Sequence, residues 1–130
     1  MPEHETVYVY SRTQALASGA LRDITELARD AGFGYPVALT EDAWTHAVAW
    51  DHDDEQGQSV TSRTRAVLTT ARAAASTRRP SRAPDRYEFI VLRLINGSAD
   101  TRPHPIRLVL RVGPGDDGEP VVTIMTARDQ

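Results

Sequence analysis

The 130-residue chain contains no cysteine and no lysine. The first absence excludes disulfides, thiolate zinc sites and a thiol nucleophile. The second excludes a Walker-type phosphate loop and a Schiff-base enzyme, both of which need a lysine. All 15 basic residues are therefore arginine, the pattern a GC-rich genome favours. Aromatic residues are scarce, at 6%. No basic strand is interleaved with the rings on which single-stranded nucleic acid stacks. No apolar run approaches the ~18 residues of a membrane span. The opening "MPEHET" is polar and acidic, unlike a secretory leader. A soluble, cytoplasmic protein with no membrane partner is the expectation. The length fits a single domain, residues 1–130, able to bury roughly two-thirds of its unfolded surface without a covalent staple.

Charge is present but unevenly spread. Residues 1–58 hold eleven of the 18 acids and three of the 15 arginines, although the net charge of the whole chain is only −3. The basic excess peaks between Ser59 and Arg86, where seven arginines face Asp85 alone. Either the two halves neutralise each other in the fold, or the arginines meet a partner.

Local signals lay out the elements. "VYVYS" (7–11) alternates and reads as a short strand. Ser11 is placed to cap a helix, "RTQALAS", stopped by Gly19. Asp23 and Glu26 have capping-box spacing before a helix from about Ile24 to Ala31, ended by Gly32. "YPVALT" is extended. Thr40 is then the N-cap of a further helix, with Glu41 and Asp42 at its positive end. "DHDDEQGQ" is a polar connection. A longer helix from about Ser59 to Thr77 has a thin, alanine-rich apolar face, and Arg65, Arg72 and Arg79 recur at sevens along one stripe. "STRRPSRAPDR", with Arg78 and Arg79, is a loop.

The last 45 residues read as a three-stranded antiparallel meander. "RYEFIVLRLI" (86–95) is apolar on both alternating sets and predicts a central strand. "PIRLVLRV" (105–112) predicts Ile106, Leu108, Leu110 and Val112 inward, Arg107 and Arg111 outward. "EPVVTIMT" (119–126) is the third strand. Helices first and strands after give an α+β fold. The N-terminal helices would pack on one face of the meander, with the 7–11 strand as an extension.

Candidate chemistry is sparse. In "GPGDDGEPVVTIM" (113–125), Asp116, Asp117 and Glu119 offer three carboxylates within four positions. An EF-hand spreads its ligands over twelve residues. A phosphate loop leads into a helix, whereas a strand follows here. Asp-Gly instead supplies turn chemistry, so a hairpin connection is expected. His46 and His52 lie near Asp51, Asp53, Asp54 and Glu55, but residues six apart do not share a helix face. No G-x-S-x-G elbow is present, and His104 sits between two prolines in a loop. No catalytic residue, metal ligand or cofactor is assigned. The candidate contact residues are Arg65, Arg72, Arg78 and Arg79, with the outward sheet arginines Arg93, Arg107 and Arg111.

"YSRTQALASGALRDITELARDAGFGYPVALTEDAW" (Tyr10–Trp44) resembles an uncharacterised domain family found on plasmids, phages and integrative elements of bacteria. "VGPGDDGEPVVTIM" (Val112–Met125) resembles that family's closing motif. The middle departs from the family pattern: a tryptophan-rich helix with an aspartate-glycine-arginine lead-in is replaced by the arginine- and alanine-rich "QGQSVTSRTRAVLTTARAAAST". The resemblance implies a small mobile-element accessory protein, and no catalytic residue carries over from it.

Three functions follow as expectations. The first is a non-catalytic binding protein that engages a host or element-encoded protein, such as a host-defence inhibitor or regulator. The second is a nucleic-acid binder using the arginines of 59–86. The third is a nucleotide-dependent enzyme, since "VYVYSRTQALASGAL" is similar to the first strand and arginine of ADP-ribosyl-transferring folds, with Arg12 and Glu119 as its candidates. The oligomeric state is left open.

Overall fold

The computed structural model describes residues 11–50, 59–76, 85–94 and 102–127. Residues 7–10 of the expected first strand, the polar 51–58 connection, Arg78 and Arg79 lie outside them. Helix α1 (Arg12–Ser18) opens on the expected cap: Ser11 Oγ accepts from Gln14 N–H, and Gln14 Oε1 accepts from Ser11 N–H. It ends at Gly19 with φ 88°, which only glycine adopts without strain. Strand β1 (Leu21–Asp23) leads to α2 (Thr25–Asp30). The expected Asp23–Glu26 capping box does not form. The N-cap is Ile24, and Asp23 instead accepts from Thr25 N–H at 3.0 Å.

Strand β2 (Val37–Thr40) ends where Thr40 Oγ1 caps α3 (Glu41–Ala43), which runs on as a π-turn, Trp44–Val48. Helix α4 (Val60–Ser76) starts on a reciprocal pair, Ser59 Oγ accepting from Ser62 N–H and Ser62 Oγ from Ser59 N–H. Strands β3 (Arg86–Arg93), β4 (His104–Pro114) and β5 (Pro120–Thr126) close the chain.

The fold is α+β, but the sheet is larger than a meander. Its order is β1-β2-β5-β4-β3. β3, β4 and β5 pair antiparallel, β2 joins β5 in parallel, and β1 pairs antiparallel with β2. β1 and β2 are three and four residues long, too short to show alternation. His104 therefore opens a strand opposite Arg93 rather than sitting in a loop.

The register sorts side chains onto two faces. One row crosses the sheet as Arg22, Leu39, Ile124, Leu110 and Tyr87, and the next as Asp23, Ala38, Thr123, Arg111 and Arg86. The first row belongs to the face under α2, the α3–π segment and α4. Val37, Leu39, Leu108, Leu110, Val122 and Ile124 there meet Ala28, Ala43, Ala47, Val67, Leu68 and Ala71 in the main core. Not all helices share this face. α1 is tied to the other one, where Arg12 Nη1 donates to Thr123 Oγ1 at 2.8 Å.

β3 is an edge strand, not the central strand that its apolar composition predicts. Phe89 and Val91 point into the core, but Ile90 and Leu92 are 52% and 61% exposed on the second face.

Candidate functional site

The carboxylate-rich stretch near the C-terminus forms the expected hairpin. Gly115 N–H donates to Glu119 O and Gly118 N–H to Gly115 O, with Gly118 at φ 84°. It also does something that turn chemistry does not announce. The Asp116 carboxylate accepts from Arg12 N–H at 2.6 Å, from Thr13 N–H at 2.9 Å and from Thr13 Oγ1 at 2.8 Å. It therefore caps the positive end of α1 from a distant part of the chain. The Thr13 main-chain hydrogen bond, then those of Arg12 N–H and the Thr13 hydroxyl, hold Asp116 below the usual carboxylate range.

A lowered folded-state pKa stabilises the fold above the unfolded value and is lost as pH falls through the folded one. Asp116→Asn should accordingly lower the melting temperature at pH 7. The difference from wild type should shrink in acid, below the ordinary carboxylate value of 3.8. Thermal melts across pH 2–7 would show it, and a gap independent of pH would contradict the cap.

Arg12, a candidate of the enzyme expectation, is occupied structurally. Its guanidinium donates to Thr123 Oγ1 and to Val122 O, across from Asp23, Asp116 and Glu119. Burial lowers its pKa despite those carboxylates. His46 Nδ1 lies 3.2 Å from Asp42 Oδ1, one helical turn away. Among the described residues no group of three His, Asp or Glu is placed to hold a metal ion.

The candidate arginines separate. Arg93 is not an outward sheet arginine. Its β3 register puts it on the core face, 8% exposed, where it donates to Ala47 O, Leu92 O and Arg63 O. Arg63, in α4, is 1% exposed and donates to Val48 O and Leu94 O, with its guanidinium 4.9 Å from the centre of the Trp50 ring. Together the two arginines clamp the last carbonyls of the π-turn, where a helix end is negative and favours cations. Burial, then the charge of Arg93, lowers Arg63 to about 10, so it stays charged at neutral pH.

Arg72 is also engaged, with Nε donating to Gly32 O at 3.2 Å and Nη1 to Ser76 Oγ. Gly32, at φ 100°, ends α2 against it. Arg65 is exposed on α4, while Arg107 and Arg111 are exposed on the opposite side of the molecule, on the second sheet face.

That second face carries the surface that sequence reasoning missed. Ile90 and Leu92 lie side by side on it. An open hollow of about 370 Å³ beside them is lined by Glu88, Phe89, Ile90 and Arg107. Arg111 stands directly opposite Arg86, and Arg86 Nη1 reaches Glu88 Oε2 at 3.1 Å. Nothing local in "RYEFIVLRLI" says which of its two apolar sets is left open, because that depends on which face of the sheet the helices cover.

A family model described as a family of unknown function, DUF6573, matches residues 2–130. The chain belongs to DUF6573. Both the Tyr10–Trp44 and Val112–Met125 motifs fall within the match, and so does the arginine-rich α4. No curated protein and no solved structure matches this DUF6573 chain. No helix among its described residues is long and apolar enough to cross a membrane.

Proposed function

We propose that this DUF6573 chain is a small, non-catalytic binding protein, the accessory of a mobile element. It engages a host or element-encoded protein through the exposed part of the second face around Ile90, Leu92 and Arg107. The observation that carries this reading is the exposure of Ile90 and Leu92, two residues apart on an edge strand. Scattered exposed apolar residues are ordinary, but adjacent ones rimmed by charge mark interaction sites. Arg107 and Arg111 supply that rim, and arginine is enriched at protein interfaces. Inhibition or regulation of a host defence suits a chain of this size, by association with the mobile-element motifs.

Affinity capture from the native host tests the reading. Wild type should retain a partner that the double variant Ile90→Ser, Leu92→Ser loses. The variant should keep its stability to within ~0.5 kcal/mol, since both side chains are exposed. Equal capture of the same protein by both forms would sink the proposal.

The nucleic-acid reading draws less support from the geometry. Phosphate tracking needs clustered positive charge, whereas Arg65 and the pair Arg107, Arg111 face opposite sides and Arg72 is held by Gly32. We expect no binding of generic duplex DNA at ~50 mM salt, where counterion release favours it most. Micromolar binding that Arg65→Glu weakens would reverse this.

A further inference from the structure

We propose that the β3 edge takes up an extended acidic peptide segment of the partner as a sixth strand of the sheet. This rests on the protein-binding reading above and adds the mode of recognition and the partner's chemistry.

The phase of the ladder comes first. Val112 N–H donates to Asp85 O at 2.8 Å, in line with the β3–β4 register. Hydrogen-bonded pairs alternate along an antiparallel ladder. Tyr87, Phe89, Val91 and Arg93 therefore turn their main-chain groups toward β4, and Arg86, Glu88, Ile90 and Leu92 turn theirs outward. Among the described residues none meets the outward main-chain groups of Arg86, Glu88 or Ile90.

The open edge has a built end. Arg93 Nη1 takes Leu92 O at 2.8 Å and Arg63 Nη1 takes Leu94 O at 3.1 Å. Exposed edges invite unwanted pairing, and proteins close them with charge. Here the two arginines close the far end and leave a window from Arg86 to Leu92. At ~3.3 Å per residue the window spans roughly 20 Å, enough for a short strand. The residues with outward main-chain groups are also those whose side chains lie on the open face. An added strand would thus gain hydrogen bonds and apolar contact with Ile90 and Leu92 together.

The occupant is a lone strand rather than a second copy of the chain. α4 packs along β3 itself. Paired strands lie about 4.8 Å apart, but packed helices need 8–10 Å. Two copies joined edge to edge would drive their α4 helices into each other.

The occupant is acidic. The open face beside the window carries Arg86, Arg107 and Arg111 against Glu88, which Arg86 already holds. Arg86 and Arg111 stand directly opposite, an unfavourable like-charge pair. Carboxylates alternating with apolar side chains would relieve it and cover Ile90 and Leu92.

The test is selection of random linear peptides of about ten residues from a display library, using the full chain. Hydrogen exchange with a synthetic copy of the most enriched peptide follows. Enriched sequences should alternate apolar and acidic residues. The peptide should protect the amides of Glu88, Ile90 and Leu92, the set turned away from β4. Arg107→Glu should weaken binding tenfold or more, while Arg65→Glu, on the other side, should leave it unchanged. Methylating alternate peptide amides should abolish it. Basic or non-alternating sequences, no enrichment, protection away from β3, or a sedimenting dimer that Ile90→Lys dissolves would each overturn strand addition. A captured protein that depends on Ile90 and Leu92 yet leaves those amides exchanging would overturn it too, while keeping the binding function intact.

Discussion

An aspartate in place of Leu110 should leave no folded protein at 25 °C. Leu110 is 1% exposed, in β4, with Tyr87 and Ile124 as its ladder neighbours and α4 above the same face. Losing its burial removes about 1.5–3 kcal/mol. A carboxylate at that position has no cation among its core neighbours, which are aliphatic and aromatic side chains, so its burial adds several kcal/mol more. The total consumes most of the 5–15 kcal/mol that holds a domain of ordinary stability. Leu110→Ala sets the scale, with an expected loss of about 2–5 kcal/mol and a fold that survives. Far-ultraviolet circular dichroism with urea titration separates the two. A soluble Leu110→Asp variant with a cooperative transition would mean that the inward set of β4 has been misassigned.

The same burial pattern shows which parts of the fold can be read locally. Ser11, Gly19 and Thr40 act within three or four residues of themselves, so their capping roles are visible in the sequence. So is the inward set of β4, because its outward partners are the charged Arg107 and Arg111. The parallel joint of β2 to β5 is not visible. It links Val37–Leu39 to Val122–Ile124, and nothing in four apolar residues marks the strand they will meet. Without that joint the sheet looks like the three-stranded meander β3-β4-β5.

The site follows the same division. Asp116 is legible as turn chemistry, but its second role depends on Arg12 and Thr13, more than a hundred residues away. Arg93 falls at an alternating position, and a charged residue there is ordinarily read as solvent-facing. What reverses its direction is the end of the π-turn, which presents Ala47 O and Val48 O above the core face of β3. The surface left for a partner is correspondingly an outcome of tertiary placement. Ile90 and Leu92 are exposed because α4 packs on the other face of β3, over Phe89 and Val91.

Arg63 ties the π-turn to the end of the β3 edge, and its removal should be the second costly change. One side chain joins the π-turn, through Val48 O, to the far end of the β3 edge, through Leu94 O, while its guanidinium lies over the Trp50 ring. Arg63→Ala strips the carbonyls of a charged donor and leaves a cavity. We expect a loss of about 2–6 kcal/mol, because two carbonyls are left without their donor at about 1–3 kcal/mol each. The midpoint of thermal unfolding should fall by on the order of 10 °C or more.

Arg63→Lys should restore only part of this, because an ammonium on a flexible stem lacks the planar fork that reaches two carbonyls at once. Arg63→Met removes the charge and the donors together without opening a large cavity. It keeps much of the stem and removes the repulsion from Arg93 that helps depress the Arg63 pKa, so it should fall between the lysine and alanine variants if the carbonyl contacts dominate. Arg65→Ala, exposed on the same helix, should change stability by no more than ~0.5 kcal/mol. An Arg63→Ala variant that melts with wild type would show that the clamp does not hold the π-turn to the sheet. The closed end of the β3 edge would then need another explanation.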